Sequence, residues 1–331
     1  MSERLVGKDE GLERIKQYAR GIGASALVAT VDHELLWIAE HRGEFEPACR
    51  VLAPPVDALR MGLSKARQLR VATEAGLDVL PTTLVRTEDD VAPIPESAFP
   101  LVIRPDRPEG IEPEFKMKLV ASSEQLRAIV RECRRIDAPI LAQPFRDLPN
   151  LLVHGARSVD GESLAMRCYY VPRKFEGVTL ALEPMSFPEG LEVSCRTFAD
   201  RAGITGCYHL EFLFSPSEKR AYFLEVNVRL GGTTDKVVKT GYDEPALLLE
   251  AYRMIPRGSS TARTCVGRVV NKRVVLKHIA WAAAGKLTAL DYPHGSRLRN
   301  IASSCRDLIA ATDSIFDWRD VPGSIRFHLR G

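Results

Sequence analysis

Apolar positions along this chain switch repeatedly between a helical and a strand period. Residues 11–23, GLERIKQYARGIG, carry apolar side chains at helical spacing and stop at Gly21 and Gly23. ALVATV (26–31) then reads as a buried strand and HELLWIAEHR (33–42) as a second helix. Ser64 is a good N-cap for a helix through KARQLRVATEA, ended by Gly76. LDVLPTTLVR (77–86) and FPLVIRP (99–105) are strand-like and bracket a proline-rich, acidic turn region. Ser122 with Gln125 three residues on has the pattern of a capping box, and Leu126, Ile129, Val130 and Cys133 form one apolar stripe after it. From PILAQPF (139–145) to VTLALEPM (178–185) the pattern predicts mostly short strands. YHLEFLFSPSEKRAYFLEVNV (208–228) predicts a hairpin about a polar turn. PRGSSTART (256–264) reads as a linker or exposed loop, and KRVVLKHIAWAAAGK (272–286) as a short helix ended by Gly285 that packs against the rest of the chain. No internal repeat is visible. Strands interspersed with helices make this an α/β or α+β protein in several subdomains.

Composition narrows the class. The chain has 331 residues, enough for two or three compact units, with 45% hydrophobic and 27% charged residues. A net charge of +3 gives no case for a nucleic-acid partner. The segment MSERLVGKDEGLERIK lacks the apolar core of a signal peptide, and no apolar run is long enough for a transmembrane segment. Seven cysteines without CxxC spacing suggest neither a disulfide framework nor a zinc site, so a cytoplasmic location is expected. Charge is unevenly spread. Residues 256–331 hold 13 Lys+Arg against 5 Asp+Glu, and the other 255 hold 33 against 38. Basic residues on a solvated face explain this imbalance, and an acidic substrate, an anionic membrane surface or a nucleic acid would explain it too.

The chemistry concentrates in YFLEVNVRLGGTTD (222–235). Residues two apart in a strand share a face, so Glu225, Asn227 and Arg229 are expected on one face together with Phe223. The preceding strand puts His209 and Glu211 on one face, and a hairpin brings Glu211 beside Glu225. Two carboxylates and an amide oxygen suit Mg²⁺. Without a cation, adjacent carboxylates repel each other. Arg229 adds a fixed positive charge, and LGGTT allows backbone amides to approach an anion. The alternative is a solvated hairpin face with charges paired across strands. Lys65, in the first turn of its helix, sits where the macrodipole disfavours a cation, a cost that a bound anion offsets. A solvent-facing lysine is the other reading.

HLEFLF followed by YFLEVNVRLGGTTDKVVKTGYD resembles the metal- and phosphate-binding hairpin of the ATP-grasp superfamily, in its carbamoyl-phosphate-synthase-like, carboxylate–amine ligase branch. The resemblance covers residues 25 to 255. It implies two lobes clasping ATP after a shortened N-terminal α/β domain: residues 1–62, lobes at 63–146 and 147–256, and a basic extension at 257–331. It further implies Mg²⁺ or Mn²⁺ on Glu211, Glu225 and Asn227, and Arg229 steadying the transferring phosphoryl group. Phosphates would meet Lys65 and Arg104, the latter standing where the family has lysine. Adenine would lie at Gln143, Pro144 and Phe145, and Lys174 would face the reaction centre. For Gln143 and Lys174 a purely structural role fits equally well.

The sequence departs from the family at PDRPEGIEPEFKMKLV (105–120), where a glycine-rich loop is usual; Lys116 or Lys118 would serve there instead. The shortened N-terminal domain would expose a sheet edge, which a homodimer, a partner chain or the C-terminal segment would cover. The resemblance implies an ADP-forming ligase that joins a small-molecule carboxylate to an amine through an acyl phosphate. A non-catalytic nucleotide-binding subunit and a bicarbonate-phosphorylating enzyme are the alternatives.

Overall fold

The computed structural model describes residues 9–46, 48–259 and 267–329. Residues 260–264 of the expected loop lie outside that range. Among the described residues, no helix is long and apolar enough to cross a membrane.

Five long strands build the larger sheet: β1 (Asn150–Arg157), β2 (Ser163–Phe175), β3 (Val178–Met185), β4 (Gly206–Ser215) and β5 (Arg220–Asn227). Its order is Thr312–Asp313, Val269–Val270, β3, β2, β1, β4, β5, Asp78–Val79, and the five long strands pair antiparallel. A four-stranded sheet orders Thr83–Val85, Ile140–Pro144, Leu101–Pro105 and Lys118–Val120. Ala26–Leu27 pairs in parallel with Arg50–Val51, so ALVATV yields only a two-residue strand.

Strands β1 to β3 are longer than the pattern suggests. Gly155 and Pro172 look like interruptions in sequence, but tertiary packing uses both. A side chain at Gly155 would lie 2.4 Å from the Tyr208 ring, so glycine lets β4 pack close. Pro172 falls where the β2–β3 register shifts between Tyr170 and Arg173, a place that needs no ladder donor.

The hairpin register carries the main correction. His209 lies opposite Asn227 and Glu211 opposite Glu225, but the next pair is Phe212 with Phe223. The shift leaves Leu224 as an extra residue, a β-bulge that breaks the period of two. Phe223 is therefore not on the face of Glu225. It is fully buried, tilted against Phe198 at 5.3 Å and edge-on to Phe212 at 5.8 Å.

Caps fix the helices as the sequence suggests. Ser64 accepts from Arg67 N at the start of Lys65–Glu74, and Ser122 accepts from Gln125 N at the start of Ser123–Glu132. Half of the expected capping box is absent there, because Gln125 Oε1 accepts from Ala121 N at 2.7 Å. One apolar cluster joins Leu35, Ile38 and Phe45 of the N-terminal segment to Leu151, Phe212 and Phe223 of the large sheet.

The C-terminal helices Lys272–Ala283 and Arg297–Ala310 are capped by Asn271 and Ser296 and pack over the end of β2. Arg173 of β2 donates through Nε to Asp307 Oδ2 at 3.1 Å and through Nη2 to Ser303 Oγ at 2.8 Å. Arg268 donates to the other Asp307 oxygen at 2.5 Å. Part of the basic excess here is thus paired within the chain, as at Arg257, Arg268 and Lys277. His278 of the first of these helices is buried against the second, with Nδ1 2.9 Å from Ser304 Oγ. Burial, helped by the Arg173 charge, pulls its imidazole from 6.5 down to about 4. Between those values the unfolded chain binds a proton that the folded chain refuses, so stability falls as pH falls through this window. The loss is up to about 3 kcal/mol. Urea midpoints between pH 7 and 4 should show this slope, and His278→Asn should flatten it.

Candidate active site

A cavity of about 390 Å³ opens between the two sheets. Lys65, Arg104 and Lys116 line one side, Asn150, Lys174, Glu211 and Glu225 the other, and Gln143, Pro144 and Phe145 the connecting edge. Residues placed there from sequence over more than 150 positions meet in one space. Lys118 does not reach it: its Nζ lies 4.9 Å from the Phe115 ring centroid. The glycine-poor stretch is partly ordered, with Ile111–Glu112 paired to Arg135–Ile136. Beyond it Met117 crosses to the opposite side, where a side chain built on Gly177 at the β2–β3 turn would lie 3.7 Å from its Cε.

Arg104 ties the sheets together. From Leu101–Pro105 its Nη2 donates to Gln143 Oε1 at 3.1 Å and to Leu224 O at 3.3 Å, while Nη1 stands 3.5 Å from Glu225 Oε2. Gln143 in turn donates to Thr82 Oγ1 at 2.8 Å, so its amide serves to orient the guanidinium. Arginine suits this place because its planar fork can hold several acceptors at once.

The helix at Lys65 is capped from within. Asp106 accepts from Ser64 Oγ at 2.9 Å and from Ala66 N at 2.8 Å. An anion does sit at this N-terminus, but it is the chain's own carboxylate, found only when residues 42 positions apart meet. Lys65 reaches the cavity instead. Burial lowers its pKa, and the charge of Glu225 partly restores it.

Glu211 and Glu225 face each other in register. Burial pushes the Glu211 carboxyl up, but the His209 hydrogen bond and the charges of His209, His154 and Arg104 outweigh it and hold the group below the usual carboxylate range. Glu211 therefore stands ionised beside Glu225, an arrangement that attracts a hard cation. Among the described residues no group of three or more His, Cys, Asp and Glu is placed to hold a metal. Two carboxylates with an amide nearby still fit Mg²⁺, which commonly takes one or two carboxylates and completes its shell with phosphate oxygens and water.

Asn227 and Arg229 lie outside the cavity lining. Strand β5 ends at Asn227, and its Nδ2 lies 3.1 Å from His209 Nε2. Past the strand end the period of two no longer applies, and Arg229 turns to the N-terminal helix Asp32–Glu40. Its Nε and Nη2 donate to Asp32 at 2.7 and 2.8 Å, a bidentate pair.

Lys174 is held firmly. Its Nζ donates to Asn150 Oδ1 at 3.0 Å and Leu148 O at 3.2 Å, and burial lowers its pKa despite Asp147 and Glu211. Its backbone exchanges hydrogen bonds with Tyr292, whose ring lies 5.6 Å from the ammonium. This strap, residues 289–294, forms the third wall of the cavity and is missed in sequence. Asp291 accepts from Glu176 N at 2.7 Å and His294 Nε2 lies 3.2 Å from Asp147, fixing the strap at both ends. The only sequence signal was the turn-rich DYPHG, which names no partner.

No family model matches the chain, and no curated protein matches it in sequence. Solved structures do resemble it. The biotin carboxylase domain of Hydrogenobacter thermophilus 2-oxoglutarate carboxylase, solved with MgADP and bicarbonate, is 15% identical with a TM-score of 0.57; the match covers 76% of this chain and 58% of that one. L-amino acid ligase from Bacillus licheniformis is 14% identical with a TM-score of 0.57, covering 77% and 64%. N5-carboxyaminoimidazole ribonucleotide synthetase from Thermus thermophilus is 16% identical with a TM-score of 0.59, covering 79% and 68%. This chain thus spans less than two thirds of the first two proteins' own length. With two sheets enclosing a charged cavity and structural likeness to these enzymes, the chain has the ATP-grasp fold.

Proposed function

We propose that the protein is an ATP- and Mg²⁺-dependent carboxylate–amine ligase acting through an acyl phosphate. The observation that carries this reading is the opposed pair Glu211 and Glu225 in one cavity with Lys65 and Arg104. In this reading residues 63–146 and 147–256 are the lobes, 1–62 precede them, and 257–331 add the strap. Residues Gln143 to Phe145 would border the adenine. Glu211 and Glu225 would hold the metal with Asn227 beside them, and Mn²⁺ would serve in its place. Bound Mg²⁺ supplies charge that offsets the phosphate oxygens.

A substrate carboxylate oxygen bonds to the γ-phosphorus as the bond to the bridging oxygen breaks, releasing ADP. An amine then bonds to the acyl carbon, phosphate leaves with the bonding pair, and the amine loses a proton. The protein's part is positioning and charge. Lys65 and Arg104 face the phosphates, and Lys174 supplies a third cation near Asn150. Arg229 is engaged by Asp32 and contributes to the reaction only where that pair opens.

ADP release from Mg-ATP with hydroxylamine, across a panel of carboxylic acids and bicarbonate, tests the reading. One class of acid should give a hydroxamate, because hydroxylamine traps any acyl phosphate. Silence across the panel together with no ATP binding would overturn ligase activity and favour a non-catalytic subunit; release with bicarbonate alone would favour a bicarbonate-phosphorylating enzyme. Glu225→Ala should abolish Mg²⁺-dependent nucleotide binding with an unchanged circular dichroism spectrum, and binding that persists would remove the metal assignment. Arg104→Met should weaken nucleotide binding by roughly tenfold, about 1.4 kcal/mol, in calorimetry. It should also lower the melting temperature, because Gln143 Oε1 and Leu224 O lose their donor.

A further inference from the structure

Behind the two carboxylates lies a pair of buried imidazoles that the reaction outlined above does not use. His209 on β4 and His154 on β1 are opposite each other in register, and their rings stack at 5.0 Å with 14° between planes. His154 is fully buried and fixed at both nitrogens: Nδ1 lies 2.5 Å from Glu244 Oε1 and Nε2 3.1 Å from Thr233 Oγ1. The other Glu244 oxygen accepts from Thr234 Oγ1 at 2.5 Å, and that hydroxyl accepts from Gly231 N at 3.1 Å. His154 and Glu244 thus anchor the LGGTT loop to the floor of the sheet.

His209 is placed differently. Its Nε2 faces the hairpin residues, 3.1 Å from Asn227 Nδ2 and 3.5 Å from Glu211 Oε1. Its Nδ1 is buried with no partner among the described residues. A buried polar atom without a partner costs stability, and an apolar side chain would fill the same space without that cost. Among the described residues, the polar contacts of the ring are therefore to Glu211 and Asn227. The loop presses on the same ring, since a side chain on Gly231 would lie 2.4 Å from His209 Cε1.

We infer that His209 is a positioning residue for the divalent-cation site, its Nε2 set between Glu211 Oε1 and Asn227 Nδ2, with Gly231 keeping the loop clear of its ring. The inference rests on the metal-site reading above. Outer partners of metal ligands typically change metal affinity by about 10- to 100-fold. The loop and the ligands share one imidazole, so a displacement of the ring from either side reaches the cation.

Mn²⁺ binding in the presence of ADP, followed by electron paramagnetic resonance, provides the test. His209→Ala should weaken Mn²⁺ by about tenfold or more, and His209→Gln, which keeps a polar atom near the Nε2 position, should recover most of the loss. Affinity for ADP without divalent metal should stay unchanged in both. Gly231→Ala, which leaves every ligand in place, should weaken Mn²⁺ by pushing the ring aside. Added to His209→Ala it should cost nothing further, because the obstruction has gone. Mn²⁺ affinity within twofold of the unsubstituted protein in His209→Ala, or an additive loss in the double variant, would overturn the inference. Glu225→Ala separates the two readings. If it abolishes Mn²⁺ binding while His209→Ala does not, only the positioning role fails. If it leaves Mn²⁺ binding intact, the metal site fails and the inference with it.

Discussion

Two carboxylates held side by side at the junction of two sheets are the constraint around which this molecule is arranged. Unit charges 4 Å apart interact by about 4 kcal/mol near a protein surface, so such a pair needs compensation before any ligand arrives. Arg104 gives it to Glu225 from the opposite sheet, and His209 Nε2 stands 3.5 Å from Glu211 in the same strand. Lys65 adds a third charge at the same cavity. The site is therefore organised by the chain's own charges, and burial of Lys65 and Lys174 keeps those charges close to what they compensate.

Sheet geometry decides which side chains can take part. The bulge at Leu224 lets Glu225 face the cavity while Phe223 enters the core, so one extra residue serves both packing and chemistry. Gly155 lets β4 lie close to β1, which brings His154 and His209 into a stack. Packing and site share their supports here. A change in the aromatic layer under the hairpin would be felt at the carboxylates above it.

Segments from both ends of the chain complete the site. Asp32 at the start of an N-terminal helix fixes Arg229, and the strap at 289–294 walls the cavity and pairs with Lys174. The charge imbalance of residues 256–331 has a structural counterpart in this. Arg268 spans Glu183 and Asp307, and Lys277 meets Glu176, so part of the excess is spent on binding the C-terminal helices to acidic groups of the sheet.

Elements whose causes are local can be read from the residues alone. Ser64, Ser122 and Gly285 bound helices because caps act within one turn, and the alternation in YHLEFLF and YFLEVNV is that of a hairpin because side chains alternate along a strand. The same alternation was enough to put Glu211 beside Glu225. What depends on meetings across distance was not written locally. The bulge at Leu224 cancels the period that placed Phe223. Asp106 caps a helix 42 residues earlier, and Asp32 engages Arg229, which also reaches Asn227 Oδ1 at 3.5 Å. Tyr292, Asp291 and His294 reach the cavity from a segment that reads as a turn. Each of these is chosen by a partner that becomes a neighbour only once the sheets have closed.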